Sequence, residues 1–155
     1  MTKVFMEDTT QGIKRAVEQV FVNLTQEGVS ILKSSQEVYI KVNGIDFKKH
    51  CYTSPEVLEA TIECLNDMGA NVHVMENSTQ SNMTRIVFAI NGYKKVCKRT
   101  GASIVYLDEE KTETFEFKGK PSNAEDSKGY ILKEFRLPET IVKIMKNRDS
   151  VTYIN

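Results

Sequence analysis

The sequence has few cysteines, no long apolar run and no excess of either charge. Its three cysteines are odd in number and widely spaced, which excludes a disulfide framework and a metal-binding Cys-x-x-Cys pair. No segment reaches the roughly 18 apolar residues of a membrane span, and the start MTKVFMEDTT lacks the pattern of a signal peptide. We therefore expect a cytoplasmic protein that contacts no membrane and binds neither zinc nor an iron-sulfur cluster through this chain.

The charges balance, since the sequence contains 21 Lys and Arg residues and 21 Asp and Glu residues. Without a basic excess, the composition does not favour the backbone of nucleic acid or an anionic lipid surface. The sequence also lacks the GxGxxG, P-loop, HExxH and GxSxG patterns of nucleotide, zinc-protease and serine-hydrolase sites. We therefore expect no nucleic-acid partner, and no common motif assigns a reaction to the chain.

The size and patterning of the chain are those of one α/β domain, residues 1–155. A length of 155 residues with 40% hydrophobic and 27% charged residues suits a domain with a sizeable core. Apolar residues recur at helical spacing from Ile13 to Leu24, with Thr9 or Thr10 as the expected N-cap and Gly28 as the left-handed end. Short apolar runs predict strands at residues 3–6, 38–42, 71–75, 102–107 and 150–154.

The stretch EVYIKVNGIDFKKHCYTSPE joins a buried strand to a polar loop and then to a helix. Two helix starts fit: Ser54 as N-cap with Pro55 in the first position, or a capping box of Thr53 and Glu56. The helix is expected to end at Gly69, before the strand at 71–75.

Beyond Asp108 the pattern changes from helix and strand to two alternating runs. Residues 112–117 and 131–136 are predicted to pair as antiparallel strands around the loop GKPSNAEDSKG, and Pro138 opens a last helix. Together the elements predict a three-layer, Rossmann-like α/β sandwich. Its sheet is mostly parallel, with an antiparallel pair near residues 112–136.

Polar residues follow the predicted parallel strands at the edge where ligands bind in such folds. They are Lys41, Asn43, Gly44, Thr53, Ser54, Glu76, Asn77 and Ser78, with Asp108 as a further candidate. A helix N-terminus and the charge of Lys41 at one edge favour a small anionic molecule such as sulfate, phosphate or a carboxylate.

Each of these candidates also has a plainer interpretation. Lys41 could extend its charge to solvent, beside an Asn43 that simply tolerates a turn. Glu76 could ligate a metal or act as a base, but we interpret it as an ordinary cap or helix-dipole partner. Isolated histidines and cysteines lack the partners that a metal site or a nucleophile needs. We therefore assign no function to His50, His73 and Cys51.

The runs IKVNG, TSPEVLEATIECLNDMGANVHVMENS and NGYKKVCKRTGASIVYLDEE resemble the bacterial and archaeal family called domain of unknown function 362. That family shows Lys-Pro-Asn at a strand end, a Thr-x-Pro-Glu helix start, a Gly-Ala helix exit and an acidic residue before a serine loop. The matching positions here are 41–43, 53–56, 69–70 and 76–78. Val42 departs from the family pattern, because proline is common there and would fix the backbone.

The resemblance implies the N-terminal part of a longer, iron-sulfur-associated redox protein. Family members continue into Pro-Lys-x-Lys-x-His and Lys-Asn-x-x-Gly motifs and often into a ferredoxin-like domain, none of which this sequence contains. A 4Fe-4S cluster is therefore expected only in a C-terminal part outside this sequence. The alternative is a non-catalytic interaction or oligomerisation domain that pairs with a partner, or with its own copy, through an open sheet edge.

Overall fold

The structure is a computed structural model that describes residues 3–48, 51–78, 83–116 and 134–155. The helices are α1 (Ile13–Gln26), α2 (Pro55–Asp67), α3 (Thr84–Ile90), α4 (Tyr93–Thr100) and α5 (Glu139–Lys146). The strands are β1 (Glu37–Lys41), β2 (Asn71–Glu76), β3 (Ser103–Tyr106), β4 (Thr112–Glu116), β5 (Glu134–Pro138) and β6 (Thr152–Ile154). A 3-10 turn spans Leu107–Glu109. None of the helices in these ranges is long and apolar enough to cross a membrane.

Four strands form one sheet in the order β3-β2-β1-β6, and every neighbouring pair is parallel. The predicted parallel sheet is confirmed. The strand predicted at residues 3–6 is wrong, because that segment pairs with no strand in the part of the chain that the structure describes. Its apolar residues Val4 and Met6 are 80% and 88% exposed, so these two side chains do not hold the segment against the sheet.

The predicted antiparallel pair is present as β4 and β5, with Phe115 opposite Phe135. Their rings stack with centroids 5.6 Å apart. The second strand extends to Pro138, two residues beyond its predicted end, and Pro138 then caps α5. The predicted loop 119–129 and residues 131–133 lie outside the described residues.

Alternate residues of the central strands face two separate apolar layers. Val38 and Ile40 of β1 pack with residues of α2, α3 and α4, including Leu58, Ile62 and Phe88. On the other face Tyr39 and Met75 pack with Leu107 and with residues of and after α5, Ile144 and Val151. Helices therefore cover both faces of the sheet, as the three-layer prediction requires.

The helix ends show which of the predicted caps form. Helix α2 starts as the first alternative predicted, with Pro55 in the first turn and the Ser54 hydroxyl accepting from the Val57 N–H at 3.4 Å. The N-cap of α1 is Gly12, so the prediction of Thr9 or Thr10 is wrong. Thr10 instead donates both its N–H and its hydroxyl to the Asp8 carboxylate, which closes a separate turn ahead of the helix.

Candidate functional site

Strands β1 and β2 end side by side, so their polar exits meet at one edge of the sheet. Lys41 lies opposite Met75 in the register, and Glu76 is the last residue of β2. The Lys41 ammonium lies 2.9 Å from Glu76 Oε1 and 3.1 Å from Oε2. The structure thus brings together the two charged residues that the sequence placed at this edge.

Glu76 is only 2% exposed, and it connects the two exits through several donors. Oε2 accepts from the Gly44 N–H at 2.9 Å, and Oε1 accepts from the Asn77 N–H at 2.7 Å. With Lys41 these donors satisfy a carboxylate that burial alone would strongly disfavour. A Cβ on Gly44 would lie 3.3 Å from the Glu76 side chain, so glycine allows the backbone to come this close.

A second chain of hydrogen bonds extends the site to the third strand. The buried Ser78 hydroxyl donates to the Gly44 carbonyl at 2.6 Å, and the Ser78 N–H donates to the hydroxyl of Thr84 at 3.0 Å. The Thr84 N–H in turn donates to Asp108 Oδ2 at 3.4 Å. These hydrogen bonds therefore connect the exits of β1, β2 and β3, and they place Asp108 at the same edge as the other candidate residues.

The loop between β1 and α2 is closed on itself by Asn43 and Thr53. The Asn43 N–H donates to Thr53 Oγ1 and the Thr53 N–H donates to the Asn43 carbonyl, both at 2.9 Å. The hydroxyl of Tyr93 donates to the Thr53 carbonyl at 2.7 Å. Because the N-cap of α2 is Ser54, the predicted capping box of Thr53 and Glu56 is wrong. Ser54 follows directly as the cap of α2, so the positive end of this helix lies beside the loop.

Two residues of this network, Thr84 and Tyr93, were not among the predicted site residues, nor was Asn91, which binds the loop after Gly44. Burial raises the pKa of Tyr93 well above its ordinary value, so its hydroxyl stays protonated and remains a donor. The Asn91 amide donates to the Asp46 carbonyl at 3.1 Å. The Asn-Gly-Tyr order at 91–93 signals only a turn in the sequence, and nothing local indicates that its side chains reach back to the first loop.

The electrostatics of the edge are balanced rather than strongly basic. Lys41 is 34% exposed, but Glu76 partly offsets its charge. At the start of α2, the Ser54 hydroxyl donates to the Glu56 carboxylate and holds the pKa of Glu56 below its usual value. Glu56 therefore already covers part of the positive helix end.

A small cleft opens beside this network. Its volume is about 270 Å³, and it lies between the loop after Gly44 and the start of α3. The residues that line it are Ile45, Asp46, Phe47, Lys48, Met83 and Val87. Charged and apolar groups together suit a small polar molecule with one apolar side.

The cysteines in the described ranges do not fit an iron-sulfur cluster. Cys97 is buried, and burial raises the pKa of its thiol to about 11, which disfavours the thiolate that a cluster needs. Burial also raises the pKa of Cys64, whereas Cys51 is exposed. Within the part of the chain that the structure describes, no group of three or more His, Cys, Asp or Glu side chains is placed to hold a metal ion. His50 lies outside the described residues.

Comparison with known proteins identifies a family for the chain. No curated protein and no solved structure matches the chain significantly. A family model described as Domain of unknown function (DUF362) matches residues 38–145, which is more than half of the chain and includes the whole strand-exit network. The resemblance predicted from the motifs at 41–43, 53–56 and 76–78 is thereby confirmed. The chain belongs to the DUF362 family, and it forms an α/β domain of that family.

Proposed function

We propose that this chain is a cytoplasmic ligand-binding domain that holds a small anionic molecule at the carboxyl ends of β1 and β2, as part of an iron-sulfur-associated redox protein. The observation that carries the proposal is the position of Lys41. Its ammonium is held on a buried carboxylate at the sheet edge, yet the side chain is 34% exposed. A fixed cation beside a helix N-terminus and a small cleft is a suitable partner for a phosphate, sulfate or carboxylate.

The neighbouring residues supply further polar contacts for such a ligand. Asn43 and Asn77 are exposed and adjoin the buried network, and Ser54 is the N-cap of the helix that follows the first loop. The hydrogen bonds that Glu76 accepts from the Gly44 N–H and Thr53 accepts from the Asn43 N–H fix these loops before a ligand arrives, which lowers the entropic cost of binding. Because Glu76 and Glu56 offset the positive charges, we expect an affinity on the order of millimolar, about 4 kcal/mol.

Titration with phosphate, followed by amide NMR at constant ionic strength, tests the proposal. We expect saturable shifts at Asn43, Gly44 and Ser78 in the native chain, and their loss in Lys41→Met, because the variant removes the cation that faces the ligand. Lys98→Met is the matched control, since Lys98 lies in the last turn of α4 and carries the same charge. Unchanged shifts at the three amides, or an equal response without Lys41, would show that the edge is only a well-capped turn.

An interaction or oligomerisation domain is the second candidate, and a specific surface favours it. Strand β6 is the last strand of the sheet order, so within the described residues its outer edge carries no further strand. A cavity of about 470 Å³ lies between this strand, α1 and α2, lined largely by apolar side chains such as Val17, Phe21 and Ile154. An open edge beside apolar surface suits strand addition by a partner or a second copy. Sedimentation equilibrium tests addition of a second copy, because the anion-binding candidate requires no assembly.

A further inference from the structure

At the opposite end of the sheet, three polar side chains from adjacent strands form a hydrogen-bonded row. His73 of β2 lies between Glu37, the first residue of β1, and Ser103, the first residue of β3. Its Nε2 contacts Glu37 Oε2, and its Nδ1 lies 2.6 Å from Ser103 Oγ. The parallel register places His73 directly opposite Ser103. The row therefore contains a carboxylate, an imidazole and a hydroxyl in the order that nucleophilic catalysis uses.

The hydrogen bonds around Glu37 indicate which atoms of this row donate a proton and which accept one. Glu37 Oε1 accepts from the side-chain amide of Asn71 at 2.8 Å. This bond is the main reason that the pKa of Glu37 lies below its usual value. The contact with His73 lowers the pKa further, whereas burial opposes both effects. An ionised carboxylate accepts only, so in the neutral His73 ring this contact places the proton on Nε2. Nδ1 then presents its lone pair to the Ser103 hydroxyl. The ring is also fixed by stacking on Tyr39, with centroids 4.7 Å apart.

Exposure and backbone geometry indicate that the row is more than a buried strand contact. Ser103 is exposed on β3, the other outer strand of the sheet, while the side chains of His73 and Glu37 are 18% and 27% exposed. Gln36, which precedes Glu37, has a φ of 56° and is the one non-glycine residue with a positive φ in the described ranges. Such backbone strain occurs preferentially at functional sites.

We propose that Glu37, His73 and Ser103 form a reactive-serine site for small activated esters. Ser103 Oγ attacks the ester carbonyl while its proton passes to His73 Nδ1. The carbon–oxygen bond to the leaving group breaks, and the departing alcohol takes that proton. Water then attacks the acyl-serine with the same proton transfers, which releases the acid and restores the hydroxyl. Ser103 and His73 are the catalytic residues, and Glu37 is a positioning residue.

The exposure of Ser103 limits the class of substrate. An exposed nucleophile at a sheet edge offers little surface for binding a large substrate, so reactivity depends on a good leaving group. Activated esters and phosphonyl fluorides fit this requirement, whereas ordinary amides do not. Sequence reasoning missed the site because its members stand 36 and 30 residues apart and form no local motif.

A fluorophosphonate probe with mass-spectrometric mapping tests the proposal on the intact chain. Oγ forms a bond to phosphorus, fluoride leaves, and the serine proton passes through His73 to water. We expect stoichiometric labelling at Ser103, none at this position in Ser103→Ala, and a rate roughly 100-fold lower in His73→Asn, which removes the general base. Ser30→Ala is the control, because the Ser30 hydroxyl bonds only locally, to the Leu32 carbonyl.

A Glu37 variant could label more slowly simply because its fold is less stable. The positioning role of Glu37 therefore needs a second measurement, one that does not depend on stability. Nitrogen-15 NMR of the His73 ring should show the Nε2–H tautomer in the native chain and a mixture of tautomers in folded Glu37→Gln. Labelling no faster than in the heat-unfolded chain, or undiminished in Ser103→Ala, would overturn the proposal. The anion site lies at the other end of β1, at Lys41, so this site and the anion site can fail independently.

Discussion

Glu76→Ala is expected to lower the free energy of unfolding by about 3 kcal/mol, because the variant removes a buried carboxylate that three donors share. The Gly44 N–H is left buried without its partner, and the Lys41 ammonium loses its counter-ion. Gln at this position keeps one acceptor, so Glu76→Gln should cost less. The loss should appear as a lower urea midpoint at unchanged slope.

Glu113→Ala is the matched control for this experiment. Glu113 also pairs with a lysine, Lys146, but its side chain is 47% exposed, and exposed ion pairs contribute about 0 to 1 kcal/mol. A loss below about 1 kcal/mol in Glu76→Ala would contradict the view that this carboxylate ties the two strand exits together.

Phe88→Ala is expected to be at least as damaging, at about 3 to 5 kcal/mol, since it leaves a large void in a closely packed region. Phe88 is fully buried, and its ring packs edge-to-face against Tyr93 and Tyr106 at 5.1 and 5.5 Å. It anchors α3, a helix of only seven residues that begins at Thr84. The variant should therefore also loosen the bond between Thr84 and Ser78.

Ile86→Ala on the same helix is the control for Phe88→Ala. Ile86 is 48% exposed, so its truncation should change stability by less than about 1 kcal/mol. Thermal or urea unfolding followed by circular dichroism measures both variants. Equal losses in the two would mean that α3 is not held through Phe88.

The parallel sheet and the meeting of its strand exits could be predicted because they depend on repeated, local signals. Strand-length apolar runs alternate with capped helices, and parallel strands must end at one edge. This reasoning placed Lys41 beside Glu76 correctly. It failed at residues 3–6, where Val4 and Met6 suggest a strand but are exposed.

The parts that could not be predicted depend on contacts between distant residues. In a sequence, an acidic residue at a strand end is equally consistent with a helix cap and with a buried ion pair. The role of Glu76 becomes clear only in the structure, where its carboxylate accepts from the Lys41 ammonium and the Gly44 N–H. Likewise His73, between two valines, is typical of an ordinary strand residue. Its neighbours Glu37 and Ser103 become visible only when three strands are in register.

The central claim is that the cation at Lys41 attracts an anionic ligand while Glu76 weakens that attraction. Glu76→Gln removes the negative charge and keeps the shape of the side chain, so phosphate should bind more tightly, by about 1 kcal/mol or roughly fivefold. Lys41→Met should bind phosphate more weakly than the native chain. Amide shifts at Gly44 and Ser78 report the affinity of each folded variant. Opposite changes in the two variants are the predicted result; an unchanged or weaker affinity in Glu76→Gln contradicts the account.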